Sequence, residues 1–231
     1  MRVYHLLTAA NGLSDVTLRR LRVSRFRDLN DPFELLAAKT DEKRFRKGLR
    51  SWRDKFNETN GLLCFSGSWE NPVLWSHYGE KHRGMCLGFD LAERLVQRVQ
   101  YKPDRLPLRF ASGDPDQGLD PSFVRDLLLT KYVHWQYEDE VRVFVKLDPK
   151  MRENGSYFYA FGAGLALREV ILGPLCELPI EAVRNAVRSA YDSASVTRAR
   201  LAFKWFKVVH DERSVKEEKA YRASTTPKAA T

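Results

Sequence analysis

Polar and apolar positions change period several times along the chain, and each change predicts an element. In RVYHLL, residues 2–7, Val3, His5 and Leu7 alternate with Tyr4 and Leu6, the period of two expected of a strand. Asn11-Gly12 then reads as a turn. LSDVTLRRL places Leu13, Val16, Leu18 and Leu21 behind a Ser/Asp start, which predicts a helix of about two to three turns, and LRVSRF predicts the returning strand. Asn30, Asp31 and Pro32 predict a turn ahead of a short apolar run. From about Ala37 to Lys55 the pattern is helical, with its basic residues on one side.

The segment NGLLCFSGSWENPVLWSHYGEKHRGMCLGFDL is the most organised. It predicts a compact strand over 62–65, then a helix from Asn71-Pro72, where Asn caps and Pro suits the first turn. Val73, Trp75, His77 and Tyr78 fall on that helix, and RGMCLGFDL predicts the next strand. Residues 102–121 hold four prolines and read as a long surface loop or lid. PSFVRDLLLTKYVHW predicts a helix, DEVRVFVKL a strand of strict period two, ALREVILGP another strand, PIEAVRNAVRSAYD a helix and RLAFKWFKVV a last strand. Beyond Asp211 the apolar periodicity stops, which predicts one folded domain over 1–211 and a basic, disordered tail over 212–231. About six or seven strands and four or five helices, without regular strand-helix alternation, argue for the α+β class.

Composition narrows the setting. The 231 residues are 43% hydrophobic, enough for a packed core. No run of eighteen apolar residues occurs, and the start MRVYHLLTAANG lacks the apolar stretch and cleavage site of a secretory signal, so a cytoplasmic protein without a membrane partner is expected. Cys64, Cys86 and Cys176 are odd in number, widely spaced and in apolar settings, which predicts buried free thiols.

Net charge is +9 and unevenly placed. Over 39–55, eight Lys/Arg stand against three Asp/Glu, a local +5; from Arg198 onward, nine stand against four, another +5. Such patches attract polyanions, so nucleic acid is an expected partner, with Lys43, Arg44, Arg46, Lys47, Arg50 and Arg53 as its contacts. A solvated helix face and a basic tail would give the same counts.

The candidate chemistry centres on KYVHWQYEDEVRVFV, residues 131–145. Alternation puts Glu138, Glu140, Arg142 and Phe144 on one strand face and Val141, Val143 and Val145 on the other. The two glutamates then project together. They form either a solvated edge, with Glu140 paired to Arg142, or site acids that orient a hydroxyl, act as a base or stabilise a developing cation. Asp31 or Glu34 in NDPFE either caps a turn or faces a ligand. His82 and His134 have no ligand-spaced partners. No G-x-G-x-x-G, Walker loop, G-x-S-x-G or H-E-x-x-H occurs, so nucleotide binding would need another architecture. Two further readings stay open: a non-catalytic module that binds nucleic acid through basic and aromatic side chains, and a metal-dependent nuclease using Asp31, Glu138 and Glu140.

NDPFE at 30–34, CFSGSWENPVLWSHYGEKHRGMCLGFD at 64–90, K…WQYEDEVR at 131–142 and the following ILG strand resemble the signature blocks of the prokaryotic domain-of-unknown-function family 2971. They run in its order across most of residues 2–175. The succession of YHLLT, a helix, LRVS, LLCFS, a helix bearing Tyr78 and the glutamate strand is similar to the ADP-ribosyltransferase fold, in its histidine-tyrosine-glutamate branch. That likeness implies two small packed mixed or antiparallel sheets with flanking helices, NAD as substrate and no metal. It implies that His5 contacts the NAD ribose, Tyr78 stacks on nicotinamide, Glu140 binds the ribose 2′-hydroxyl and Glu138 serves as a second acid. Ser66, Asn30 and Asp31 join His5 and Tyr78 in the cofactor set. A fixed carboxylate suits this chemistry because cleaving the nicotinamide bond builds oxocarbenium-like charge on the ribose. The resemblance also implies a toxin or phage-defence effector that modifies RNA, DNA or a nucleic-acid-associated protein, with a neutralising antitoxin as a further partner.

Overall fold

Thr8 sets the start of the first helix earlier than its apolar pattern predicts. Its hydroxyl accepts from the Asn11 N–H at 3.2 Å, so Asn11 and Gly12 lie inside a helix rather than in a turn. A Cβ on Gly12 would stand 2.1 Å from the Met85 sulfur, so a larger residue there would make the buried Met85 side chain move.

The computed structural model describes residues 1–113, 117–191 and 194–225. In chain order the elements begin with β1 (Arg2–Leu7), α1 (Ala9–Leu18), β2 (Arg20–Val23), α2 (Lys43–Thr59), β3 (Asn60–Ser66), α3 (Pro72–His77) and β4 (Met85–Leu91). They continue with β5 (Gln97–Arg98), β6 (Gln100–Lys102), α4 (Pro121–Leu129), β7 (Thr130–Tyr132), β8 (Glu140–Lys146), β9 (Arg152–Glu153) and β10 (Ser156–Ala160). The last are β11 (Leu165–Leu172), α5 (Ile180–Arg188), β12 (Ser195–Leu201), β13 (Val208–His210) and α6 (Glu212–Thr225). The class is α+β. Two compact units are distinguished: Met1–Arg20, Phe65–Glu93 and Ala160–Thr231 form the first, Leu21–Cys64 and Arg94–Tyr159 the second.

The first unit is built on a mixed sheet with strands in the order β13-β12-β11-β4-β1. β1 pairs antiparallel with β4 from Arg2↔Asp90 to Leu7↔Met85, and β4 pairs antiparallel with β11. β11 and β12 run parallel, which needs a crossover, and α5 supplies it. Met85, Cys86, Leu87 and Phe89 are inaccessible on both faces of β4, so this strand is the centre of the unit's core.

The segment 212–225, read from its pattern as a disordered tail, is the helix α6. Polar contacts replace the missing apolar stripe. The Asp211 carboxylate accepts from the N–H groups of Arg213 and Ser214 at 2.9 and 3.3 Å, and Glu218 is buried against Arg184 at 2.9 Å. The remainder of that tail, 226–231, lies outside the described residues.

In the second unit β5 and β8 are antiparallel, with Gln97 opposite Arg142, while β6 and β7 pair in parallel from Gln100↔Thr130 to Lys102↔Tyr132. β2, β10 and β9 form a further small sheet, so the strands make more than the two sheets expected. Two apolar clusters support these strands. Ala38, Leu49, Phe123 and Leu127 form one, and Phe26, Leu35 and Leu62 form the other beside Trp52 and Phe56. The stretch read as a lid is pinned where described: Leu106 donates to Ala37 O and accepts from Lys39 N–H, both at 2.7 Å, and packs with Leu108 and Leu119 on the first cluster. Residues 114–116 of it lie outside the described residues.

Candidate functional site

β8 begins at Glu140 because Asp139 takes a left-handed conformation, φ 43°, that closes the 3-10 stretch Val133–Glu138. Glu138 therefore does not share the strand face that alternation assigned to it. The two acids meet at Lys131 on β7 instead, whose Nζ donates to Glu138 Oε2 at 2.5 Å and Glu140 Oε2 at 3.2 Å. Neither is a solvated edge, since Glu138 is 5% and Glu140 6% exposed.

Arg142 organises the rest and is wholly buried. Its Nε donates to Glu140 Oε1 at 2.8 Å, and Nη2 to Glu140 Oε2 at 3.1 Å. Nη2 and Nη1 also donate to the Glu34 carboxylate at 2.5 and 3.1 Å, and Nη1 reaches Leu128 O at the end of α4 at 2.8 Å. All five guanidinium N–H groups thus have acceptors, the condition for burying an arginine.

NDPFE delivers Glu34 to this cluster. The Asp31 carboxylate accepts from the Phe33 N–H at 2.9 Å, and the Asp31 carbonyl accepts from the Glu34 N–H at 3.1 Å. Asp31 is therefore the turn-former of its two readings, and Glu34 the residue that reaches a site. Asn30 is exposed. Leu35, next along, is fully buried at φ 59°, a left-handed conformation costly for a branched side chain.

Three carboxylates, Glu34, Glu138 and Glu140, face two cations, Lys131 and Arg142. Burial alone would raise the Glu140 carboxyl, but the charge and hydrogen bonds of Arg142 and the charge of Lys131 overcome it and hold the group at about 2. Burial pushes Glu34 up, with Glu140 adding to the effect against Arg142. Burial would lower Lys131, yet the Glu140 and Glu138 charges outweigh it and keep the ammonium protonated. Tyr101 accepts from the Glu140 N–H at 2.8 Å, and burial raises its hydroxyl to about 12. The Cys64 thiol is also raised by burial and by the Glu140 charge, which makes it a hydrogen-bonding neighbour and not a nucleophile. All three cysteines are free.

Lys131 also lines a cavity of about 230 Å³ with Phe33, Lys102, Asp104, Arg105 and Tyr132. Arg105 lies 4.8 Å above the Phe33 ring. Lys131 is engaged by the glutamates, so Lys102 and Arg105 against Asp104, with two aromatic rings, suit an anionic ligand that carries a planar group. The volume is below the roughly 300–1,000 Å³ of pockets for drug-sized ligands, so it accommodates one part of such a molecule.

His5, Ser66 and Tyr78 belong to the first unit. His5 is half-buried on β1, its ring edge-on to Phe65 at 5.8 Å. Ser66 stands opposite Tyr4, and its hydroxyl donates to Ser68 O at 2.6 Å and accepts from the Ser68 N–H at 3.2 Å, which forms the turn after β3. Tyr78 caps the C-terminus of α3 through its N–H, with its ring 6.2 Å from that of His77. Among the described residues no group of three His, Cys, Asp or Glu side chains is placed to hold a metal ion, and Glu138 and Glu140 are turned toward cations. The triad Asp31, Glu138 and Glu140 of the nuclease reading is thus not assembled as a metal centre.

Of the six basic candidates on α2, Lys43, Lys47 and Arg50 are exposed, lack ion-pair partners among the described residues, and recur at the spacing of one helical stripe. Arg44 pairs with Glu42 at 2.8 Å, Arg46 donates to Thr40 O and Asp41 O, and Arg53 reaches Asp54 at 3.5 Å. The β12–β13 hairpin, in the first unit, carries a feature the sequence pattern hid. Phe203, Trp205 and Phe206 are 90%, 72% and 98% exposed at its tip, with Lys204 between them and Arg200 4.6 Å above the Phe203 ring.

The site thus defines a class: a buried cluster of three carboxylates bridged by arginine and lysine, beside a cationic cavity in an α+β protein. No family model, no curated protein and no solved structure matches the chain.

Proposed function

We propose that the protein transfers ADP-ribose from NAD to nucleic acid, on an ADP-ribosyltransferase-like fold. The observation that supports this reading best is Glu140, a carboxylate held at about 2 in one cluster with Glu138, whose partner Lys131 also borders the cavity of Phe33, Tyr132, Lys102 and Arg105. A permanently ionised carboxylate is what stabilises ribose cation character as nicotinamide leaves. Lys102 and Arg105 suit the pyrophosphate, and an aromatic wall suits a planar ring. His5 and Tyr78 take their roles from the resemblance, and His5→Ala and Tyr78→Ala test them separately from the cluster.

Glu140 has a limited capacity for a ribose hydroxyl as it stands, because its oxygens already meet Arg142 and Lys131. The ribose hydroxyl would then take the place of one contact that Arg142, Lys131 or Cys64 makes to Glu140. The test is labelled NAD incubated with RNA, DNA and protein mixtures. Label should enter nucleic acid with wild type and not with Glu140→Gln or Glu138→Gln, each checked for folding by circular dichroism. Equal labelling by wild type and a folded Glu140→Gln would overturn the proposal.

A second reading, a nucleic-acid-binding module without transfer, is favoured by the exposed Phe203, Trp205 and Phe206 beside Lys204 and by the α2 stripe. It expects salt-sensitive binding of single strands and no thermal stabilisation by NAD.

A further inference from the structure

Arg184 on α5 is 3% exposed and carries a donor with nowhere to go. Its Nε donates to Glu218 at 2.9 Å and its Nη1 to Glu181 at 2.5 Å, but Nη2 is buried without an acceptor. Buried guanidinium N–H groups are nearly always bonded, so an orphan one points to an acceptor that belongs to a ligand or to solvent. The surroundings distinguish between these. A hollow of about 130 Å³ in the first unit is lined by Arg184, Arg188, Tyr191, Glu218, Tyr221 and Arg222. Three guanidiniums face it against one carboxylate, and that carboxylate already serves Arg184 at 2.9 Å and Arg222 at 3.4 Å.

The arginines are held in place by aromatic rings. Arg184 and Arg188 lie 5.3 and 4.6 Å from the Tyr221 ring centre, and Arg19 lies 5.2 Å from that of Tyr191. Fixed guanidinium forks recognise a tetrahedral oxyanion, which offers several acceptor oxygens at once. The space is that of about four waters at roughly 30 Å³ each, enough for one such group and not for a nucleoside. Both tyrosine rings are covered by guanidiniums, so a base has no stacking place here.

We propose that this hollow between α5, α6 and β12 binds a phosphate group, free or at the end of a monoester. The inference stands apart from ADP-ribosyl transfer and uses none of its residues. The experiment is calorimetric titration of the full chain with sodium phosphate, with sodium chloride at equal ionic strength as control and with a nucleoside 5′-monophosphate as a second arm. Phosphate should bind saturably with one site per chain, and Arg188→Gln and Arg222→Gln should each weaken it by about tenfold, the loss of one charge-assisted contact. These positions lie nearer the rim than Arg184, and circular dichroism confirms that each variant is folded. Tighter binding of the monophosphate than of phosphate would identify an ester as the source, and tighter binding of phosphate the free ion. Heat that merely follows ionic strength, or unchanged affinity in both variants, would overturn the proposal.

Discussion

Arg142 grips Glu140 side-on, two residues away on β8, with Nε 2.8 Å from Oε1 and Nη2 3.1 Å from Oε2, and grips Glu34 with the other edge of the same guanidinium. One planar fork joins the NDPFE turn to the glutamate strand. Lysine cannot reproduce it, having one point charge in place of five fixed donors. Arg142→Lys should therefore destabilise the protein by about 3 kcal/mol or more, the usual cost of breaking a buried ion pair. Urea unfolding measures it, and a loss below about 1 kcal/mol would mean that the cluster is not held by the fork.

Glu140 gives the cluster a pH signature. Its carboxyl is lowered from 4.5 to about 2, so its stabilisation is fully present above about 4.5 and is lost as pH falls toward about 2. The difference between wild type and Glu140→Gln, on the order of 3 kcal/mol by the ~1.4 kcal/mol per pH unit of linkage, should shrink across that window. Acid titrations of unfolding free energy for the two proteins give this directly. A difference that stays constant from pH 5 to 2.5 would contradict the lowered carboxyl.

Asp15 on α1 has the opposite sign. Burial raises it from 3.8 to about 7, with Arg20 opposing, so its ionised form weakens the fold above about 7 and the strain is relieved as pH falls toward about 4. Relative to Asp15→Asn, wild type should gain stability on going from pH 8 to pH 4, by up to about 4 kcal/mol at ~1.4 kcal/mol per unit. Melting curves of both proteins at the two pH values decide it. Parallel melting shifts would refute the raised carboxyl.

Strands β1 and β8 were legible in the alternation of residues 2–7 and 140–146, and α3 in the Asn71-Pro72 start, where the Asn71 side chain accepts from the Val73 N–H at 2.9 Å. The pairing of Glu140 with Arg142 was legible too, because a period of two puts both on one face. Other features depended on contacts distant in sequence. Lys131 reaches Glu138 only because α4 stops at Leu129 and a 3-10 stretch follows, where a helix through Trp135 was expected. Asn11-Gly12 reads as a turn until Met85 is placed against Gly12. α6 has no apolar period because its attachments are Ser214 and Glu218, and hydrophobic pattern carries no signal for a helix held by polar contacts.

Lys43, Lys47 and Arg50 form the exposed stripe of α2, opposite the Leu49, Trp52 and Phe56 side that packs inward. Replacing all three with alanine should weaken binding to single-stranded RNA and lower the slope of log K against log salt by about 2, at roughly 0.7 per phosphate contact. The helix itself should persist, since its buried face is untouched. Fluorescence anisotropy at several salt concentrations reads both quantities, and an unchanged slope would remove α2 from the interface.

Phe203, Trp205 and Phe206 make a different demand. Rings left 72% to 98% exposed contribute little to folding, yet they stand at a hairpin tip fixed by Ala202 N–H to Lys207 O at 2.9 Å and by the Lys207 ion pair with Glu70 at 2.7 Å. Lys204 and Arg200, the latter 4.0 Å from Glu212, add positive charge beside the rings, which suits bases and phosphates of a single strand more than an apolar protein surface. Replacing the three rings with serine should leave the melting temperature near that of wild type. Affinity for a short single-stranded oligonucleotide should fall by about 1–3 kcal/mol per ring engaged, with a smaller change in salt slope than the α2 variant shows. The pair of variants thus separates stacking from charge: loss of affinity with the slope kept assigns the tip to bases, loss of slope with partial affinity kept assigns α2 to phosphates. Should the serine variant bind oligonucleotide as wild type does, the rings serve a partner other than nucleic acid.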